Sequence, residues 1–150
     1  MIRIAPAVPR DVPALVRLLA LLFAQEEEFA PDAVRQRRGL LRIIRRPHTG
    51  TIFVMKDGPA TVGMVSLLFT VSTVEGGPAA LLEDLILDPG YRGRGLGSLL
   101  VRHVIDYARR RGISRITLLT DRTNRRALRF YRRCGFVRSS MVPLRRAVIP

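Results

Sequence analysis

The stretch Leu82-Glu83-Asp84-Leu85-Ile86-Leu87-Asp88-Pro89-Gly90-Tyr91-Arg92-Gly93-Arg94-Gly95-Leu96-Gly97 decides how this chain folds. A hydrophobic run of strand character ends at Asp88-Pro89. A loop of Gly and Arg follows, and an amphipathic helix begins after it. A strand that feeds a Gly-rich loop at a helix N-terminus presents unpaired backbone N–H groups to an anion, and the helix dipole favours one there. Glycines at 93, 95 and 97 let the backbone approach a pyrophosphate closely.

Two common phosphate motifs are excluded. A Walker loop needs Gly-Lys-Ser/Thr, and Lys56 is the only lysine. A dinucleotide fingerprint needs G-x-G-x-x-G, and Ser98-Leu99 after Gly97 misplaces the third glycine. The spacing that fits is Arg92-x-x-Gly95-x-Gly97. It resembles the Gln/Arg-x-x-Gly-x-Gly/Ala signature with which the GNAT N-acetyltransferase superfamily holds the pyrophosphate of acetyl-CoA.

Working outward, the pattern predicts an α/β (α+β) protein. Ile2 to Ala5 reads as a first strand. Asp11 caps a helix to about Phe23, with Leu15, Leu18, Leu19 and Leu22 at helical spacing. A second helix is expected from Pro31 to Arg45 and must end before Pro47. Thr51 to Met55 reads as a strand, Asp57-Gly58 as a hairpin turn, and Ala60 to Val74 as a long strand. Another runs from Ala79 to Leu87. The helix after the loop carries Leu96, Leu99, Leu100, Val104, Tyr107 and Ala108 on one face and ends at Gly112. Ile116 to Leu119 forms the next strand, parallel to its predecessor because a helix intervenes. Asn124 to Arg133 forms a last helix, and Phe136 to Val148 one or two final strands. The expectation is a single domain over residues 1–150, with a mixed sheet of about 6–7 strands and about four helices on both faces.

Composition narrows the function. The net charge is +14, but 25 of the 26 basic residues are arginines spread along the chain, and no nucleic-acid motif accompanies them. Nucleic acid is therefore an unlikely partner, although the cluster Arg122, Arg125, Arg126 and Arg129 would suit an anionic ligand as well as a solvated face. The longest apolar stretch, Leu18 to Ala24, is far short of the ~20 residues of a membrane span. No signal peptide is recognised, so a cytoplasmic location and no membrane partner are expected. One cysteine, Cys134, and two histidines, His48 and His103, argue against a disulfide or a metal site. His103 reads as a packing residue, His48 as a loop residue and Cys134 as packing.

A second motif strengthens the resemblance. Asn124, Ala127, Tyr131, Gly135 and Phe136 match every position of the Asn-x-x-Ala-x-x-x-Tyr-x-x-x-Gly-Phe pattern that GNAT enzymes often carry on their last long helix. Both motifs stand in the family's order, and the likeness is strong over about residues 80 to 138. It implies acetyl-CoA as cosubstrate and no metal. It also implies a splayed parallel strand pair, with the pantetheine arm paired to backbone near Leu85, Ile86 and Leu87. The loop Arg92, Gly93, Arg94, Gly95, Leu96 and Gly97, with the Ser98 amide, would cradle the pyrophosphate. Asn124 would contact CoA, and Tyr131 would sit beside the sulfur.

Acetyl transfer needs a neutral amine, an oriented thioester, a polarised carbonyl and a protonated leaving thiolate. Tyr131 is the candidate acid. Glu83 shares strand parity with Leu85 and Leu87 and is the candidate base, or else binds the substrate's cation. Asp84 points to the other face unless a bulge intervenes. Enzymes of the family that act on ribosomal-protein N-termini often place an acid five residues before the Asn. Leu119 stands there, with Asp121 three before, so a small-molecule amine is favoured over a protein. Glu26-Glu27-Glu28, the sole acidic run, would suit a cationic acceptor such as a polyamine, and some likeness to aminoalkylphosphonate acetyltransferases is present. The alternatives are a protein or peptide N-acetyltransferase and a non-catalytic CoA-binding regulatory domain. A homodimer is possible, with Val142 to Ile149 as an interface strand.

Overall fold

Apolar residues on both faces of three consecutive strands require cover on both sides, and that requirement sets the layers. The computed structural model describes residues 1–26 and 28–150. Its strands are β1 (Ile2–Pro6), β2 (Gly50–Asp57), β3 (Ala60–Ser72), β4 (Gly77–Leu87) and β5 (Ile116–Leu118). Its helices are α1 (Val12–Phe23), α2 (Ala33–Ile44), α3 (Leu96–Arg110) and α4 (Arg125–Arg133). The sheet order is β1-β2-β3-β4-β5, antiparallel through β4 and parallel between β4 and β5.

Alternation along the strands divides the core. Ile52, Val54, Met64 and Ile86 face α1 and α2, where Leu15, Leu18, Leu19 and Leu40 close on them. Phe53, Met55, Val65, Leu67, Ala80 and Leu82 face α3 through Leu100 and Val104, with Tyr131 of α4 and Phe136 packed against that layer. Each leucine buried fully contributes roughly 1.5–3 kcal/mol relative to exposure. Two glycines permit close strand approach. A Cβ on Gly50 would stand 2.5 Å from the Leu67 carbonyl oxygen, and one on Gly63 would stand 2.5 Å from the Leu87 side chain.

The expected element order holds from β1 to α4, with ends shifted by a few residues. The strand count is lower, at five rather than six or seven. Residues 137–150 form no strand, so the expected strands between Phe136 and Ile149 are corrected to an irregular, exposed arm. A strand exists only through a partner's hydrogen bonds, and the arm finds none among the described residues.

The solitary lysine has a structural post. Lys56 Nζ donates to Asp11 Oδ1 at 2.6 Å, and the two side chains are 14% and 5% exposed. Asp11 Oδ2 accepts from the Val8 N–H and so fastens the approach to α1. Burial pushes the Asp11 carboxyl up, but Lys56, the Val8 N–H and Arg10 outweigh that and hold it below its ordinary value. Removing one partner of such a pair strands the other charge in a dry site. Lys56→Met should therefore cost about 3–5 kcal/mol in urea unfolding, and Asp11→Asn added to it should recover much of the loss.

Candidate active site

β4 and β5 pair only at Ala80–Ile116, Leu81–Thr117 and Leu82–Leu118. β5 then ends while β4 runs on to Leu87. From Glu83 to Leu87 the edge of β4 that turned toward β5 has no strand beside it among the described residues. Backbone groups there require a partner, of the kind that an extended ligand can supply. Leu85, Ile86 and Leu87 lie on this open segment. Leu85 and Leu87 pack toward α3, and Ile86 packs toward α1. The Leu87 carbonyl accepts from Arg92 Nε at 3.1 Å.

The loop that follows is shaped by its glycines. Gly93 and Gly95 take φ of 72° and 74°, where side-chain-bearing residues are strained. Gly95 stands as the N-cap of α3, and its carbonyl accepts the Leu99 N–H at 3.1 Å. The amides of Leu96, Gly97 and Ser98 therefore open the helix with no partner inside it. Gly97 lies under α4, since a Cβ there would meet the Phe130 ring at 3.3 Å. The Arg94 guanidinium lies 5.3 Å from the Tyr91 ring centroid. Arg92 Nη2 is buried with no hydrogen-bond partner among the described residues. An orphaned cationic donor beside a nest of open amides fits an anionic group such as a pyrophosphate.

α4 carries the second set. The Asn124 side chain accepts from the Ala127 N–H at 3.0 Å and caps the helix, which leaves its amide nitrogen for any ligand contact. Tyr131 lies about two helical turns on, wedged between Phe130 and Phe136 at centroid distances of 5.1 and 5.8 Å. Burial, then the Cys134 thiol and Glu26, push its hydroxyl up to about 12. The hydroxyl stays protonated across the working pH range and is a standing donor.

The parity expected for Glu83 is overturned by a bulge. Across β3, Met64 faces Ile86 and Ser66 faces Glu83, so β4 carries one residue more than its partner. Asp84 takes up the surplus with φ of 55°. The faces exchange there, as Leu82 and Leu85 both pack toward α3 although they are three apart. Glu83 thus does not share a face with Leu85 and Leu87. Asp84 is turned inward, and its carboxylate accepts from the buried Ser66 hydroxyl at 3.4 Å. Burial first, then Glu83 and Glu26, raise the Asp84 carboxyl to about 6 against the Ser66 hydrogen bond. Glu26 is itself raised by burial, Asp121 and Glu83. Carboxylates from the loop after α1, the bulge of β4 and the loop after β5 therefore act on one another, and Glu26 among them acts on Tyr131. Sequence reasoning missed that convergence, although Glu26-Glu27-Glu28 had signalled it. Glu27 lies outside the described residues.

The remaining candidates stand apart. His103 packs edge-on to Phe53 at 4.7 Å. His48 is exposed in a loop, and Arg122, Arg125, Arg126 and Arg129 are exposed around the start of α4. Among the described residues no group of three or more His, Cys, Asp or Glu side chains could hold a metal ion. No described helix is long and apolar enough to cross a membrane.

Residues 14–136 match the model of the acetyltransferase (GNAT) family. The chain belongs to that family. The uncharacterized N-acetyltransferase MJ1207 of Methanocaldococcus jannaschii is 32% identical over 101 residues, which are 67% of this chain and 44% of that protein. The thialysine N-epsilon-acetyltransferase of Bos taurus is 36% identical over 79 residues, 53% of this chain and 46% of that protein. The chain thus spans less than half the length of these relatives. Among solved structures, the integron cassette protein HFX_CASS3 from the mobile metagenome of Cole Harbour Salt Marsh superposes with a TM-score of 0.85 at 28% identity, over 98% of this chain and 91% of that one.

Asp84 ionises at about 6 in the fold against an ordinary 3.8. The unfolded chain therefore releases its proton first, so the group's contribution to stability is present below about pH 4 and lost as pH rises through about 6. The urea midpoint of Asp84→Asn should exceed wild type at pH 8 and converge with it at pH 4. Carbon-detected NMR of the Asp84 carboxyl should give an apparent pKa near 6.

Proposed function

We propose that residues 1–150 act as one catalytic domain that transfers the acetyl group of acetyl-CoA to a primary amine, with a cationic small molecule as acceptor. The observation that carries this reading is the convergence of three parts on one place. These are the open edge of β4, the Gly93–Gly97 loop with its unpaired amides, and the buried Tyr131 hydroxyl within the field of Glu26.

Bound acetyl-CoA supplies the acyl thioester and, on cleavage, the thiolate. The amides of Leu96, Gly97 and Ser98, with Arg92, are proposed to hold its pyrophosphate, aided by Gly93, Arg94 and Gly95. Asn124 contributes a further contact. The edge at Leu85, Ile86 and Leu87 holds the pantetheine arm, and a backbone N–H on that edge polarises the carbonyl. Glu26, Glu83, Asp84 and Asp121 draw a protonated amine toward the thioester. The amine must lose a proton to attack. Glu83 stands as the proposed base, and Asp84, brought inward by the bulge, takes up the proton beside it. Tyr131 O–H donates to the departing sulfur.

A small cationic acceptor is supported by the negative field from Glu26, Glu83 and Asp121 at the site of an otherwise basic chain. The bovine relative, by its name, acetylates the ε-nitrogen of thialysine, an amine. The acid expected five residues before Asn124 for protein N-termini is absent, since Leu119 stands there, 62% exposed.

Thiol release from acetyl-CoA, measured against polyamines, aminoglycosides, aminophosphonates, amino acids and short peptides, tests the activity. A blank without acceptor corrects for Cys134. Release with cationic small amines is expected. Tight acetyl-CoA binding with silence across the panel would favour a non-catalytic CoA-binding domain. Tyr131→Phe should lower kcat by about 10²–10⁴ and leave acetyl-CoA affinity unchanged. The kcat/KM of wild type should rise through about pH 6. Asp84→Asn should abolish that limb, whereas Glu83→Gln should lower the plateau and shift the limb downward, because the Glu83 charge contributes to raising Asp84.

A further inference from the structure

A second concavity lies apart from the open edge of β4. It is a cavity of about 480 Å³, formed where β1, the start of α1 and the β2–β3 hairpin meet. That volume is in the range of small-ligand sites. The cavity stands at the N-terminal end of α1, whereas Glu26 follows the C-terminal end. The 12 residues of α1 put about 18 Å of helix between them. The Gly93–Gly97 loop leads into α3, which covers the other face of the sheet. The cavity walls carry three cations, Arg3, Arg10 and Lys56, and one carboxylate, Asp11. Both Asp11 oxygens are already engaged, Oδ1 by Lys56 and Oδ2 by the Val8 N–H. The neighbouring Asp57 is engaged as well, by the Met1 ammonium and the Tyr91 hydroxyl. Arg3 and Arg10 are exposed and make no hydrogen bond or salt bridge among the described residues. Strand register adds to the imbalance. Arg3 stands directly opposite Lys56 across the β1–β2 ladder, and like charges so placed repel. Thr61 lines the same cavity and is 8% exposed, and its hydroxyl makes no hydrogen bond among the described residues. A hydroxyl on so buried a residue ordinarily has a partner.

We propose that this cavity binds a small phosphate-bearing anion, held between the Arg3 and Arg10 guanidinium groups with the Thr61 hydroxyl donating to it. The chemistry of the walls selects the ligand. Guanidinium forks match phosphate oxygens in pairs, and two of them stand here with no carboxylate left to take them up. Lys56 keeps Asp11, so an anion can enter without breaking the buried pair that fastens α1. Its charge offsets the repulsion between Arg3 and Lys56, which the fold otherwise carries uncompensated. The contacting residues come from β1, the turn before α1 and β3, so a bound anion ties three separate segments together. The size of the cavity leaves room for an organic body beyond the phosphate group.

Inorganic phosphate is the probe. It is titrated at constant ionic strength, with chloride as the balancing ion, and the backbone amides are followed by nitrogen-15 NMR. Saturating shifts at Ala14, Gly58 and Thr61 are expected. Arg3→Ser combined with Arg10→Ser should weaken the binding read at those amides at least about tenfold, whereas Arg92→Ala should leave it unchanged. Shifts confined to the amides from Gly93 to Ser98, a response that does not saturate, or an undiminished affinity in the double variant would each overturn the proposal. Citrate binding there more tightly than phosphate would overturn the choice of ligand. Should the double variant fail to fold, the position of the shifts in the wild type still decides, and no readout depends on acetyl transfer.

Discussion

The parting of β4 from β5 is the constraint on which the rest depends. A parallel pair that stops after three residues leaves a run of backbone donors and acceptors from Glu83 to Leu87 beside an opening. Those groups are expensive to bury and useful to expose to an extended ligand. The fold arranges everything else around that opening. α3 aims its N-terminal amides at one end of it, α4 brings Tyr131 to its wall, and the carboxylates collect beside it. The five-stranded sheet and its two covering layers are the rigid frame that keeps the opening from closing.

The bulge at Asp84 is the second device, and it belongs to the same economy of hydrogen bonds. One surplus residue on β4 exchanges its faces at the point where the ladder to β5 has ended. Asp84 occupies a backbone region that few residues other than Gly, Asn and Asp enter readily. Its carboxylate is turned inward toward Ser66, where burial raises it to about 6. Strain is thus located at the proposed site of proton transfer, next to Glu83 and within the field of Glu26. The loop glycines act differently. Gly93 and Gly95 are needed for their positive φ and not for space, whereas a Cβ at Gly97 would crowd the Phe130 ring.

How much of this was legible in the chain depends on the range of the interactions. The element order was readable because strand alternation, the cap at Asn124 and the breaks at Pro47 and Gly112 are local signals, whereas Asp11, expected as a cap of α1, makes no such bond and holds Lys56 and the Val8 N–H instead. The Gly-rich loop and the Asn124-to-Tyr131 spacing were readable because both are set within one loop and one helix. The face of Glu83 was not. Parity along a strand is certain only while each residue has one partner, and whether it has depends on how β3 lies beside β4. The convergence of Glu26 and Asp121 with the β4 carboxylates was equally hidden, because it joins segments nearly sixty and about forty residues from Glu83.

By itself the sequence determined a mixed α/β architecture, an anion-holding loop from Arg92 to Gly97, and a capped helix bearing Tyr131, since each follows from short-range spacing and backbone chemistry. Tertiary structure alone decided the bulge that turns Asp84 inward, the field that raises its carboxyl, and the want of any strand partner for residues 137–150 among the described residues. Those outcomes depend on strand register, burial and cross-chain distance, which are properties of the packed molecule and of no single segment.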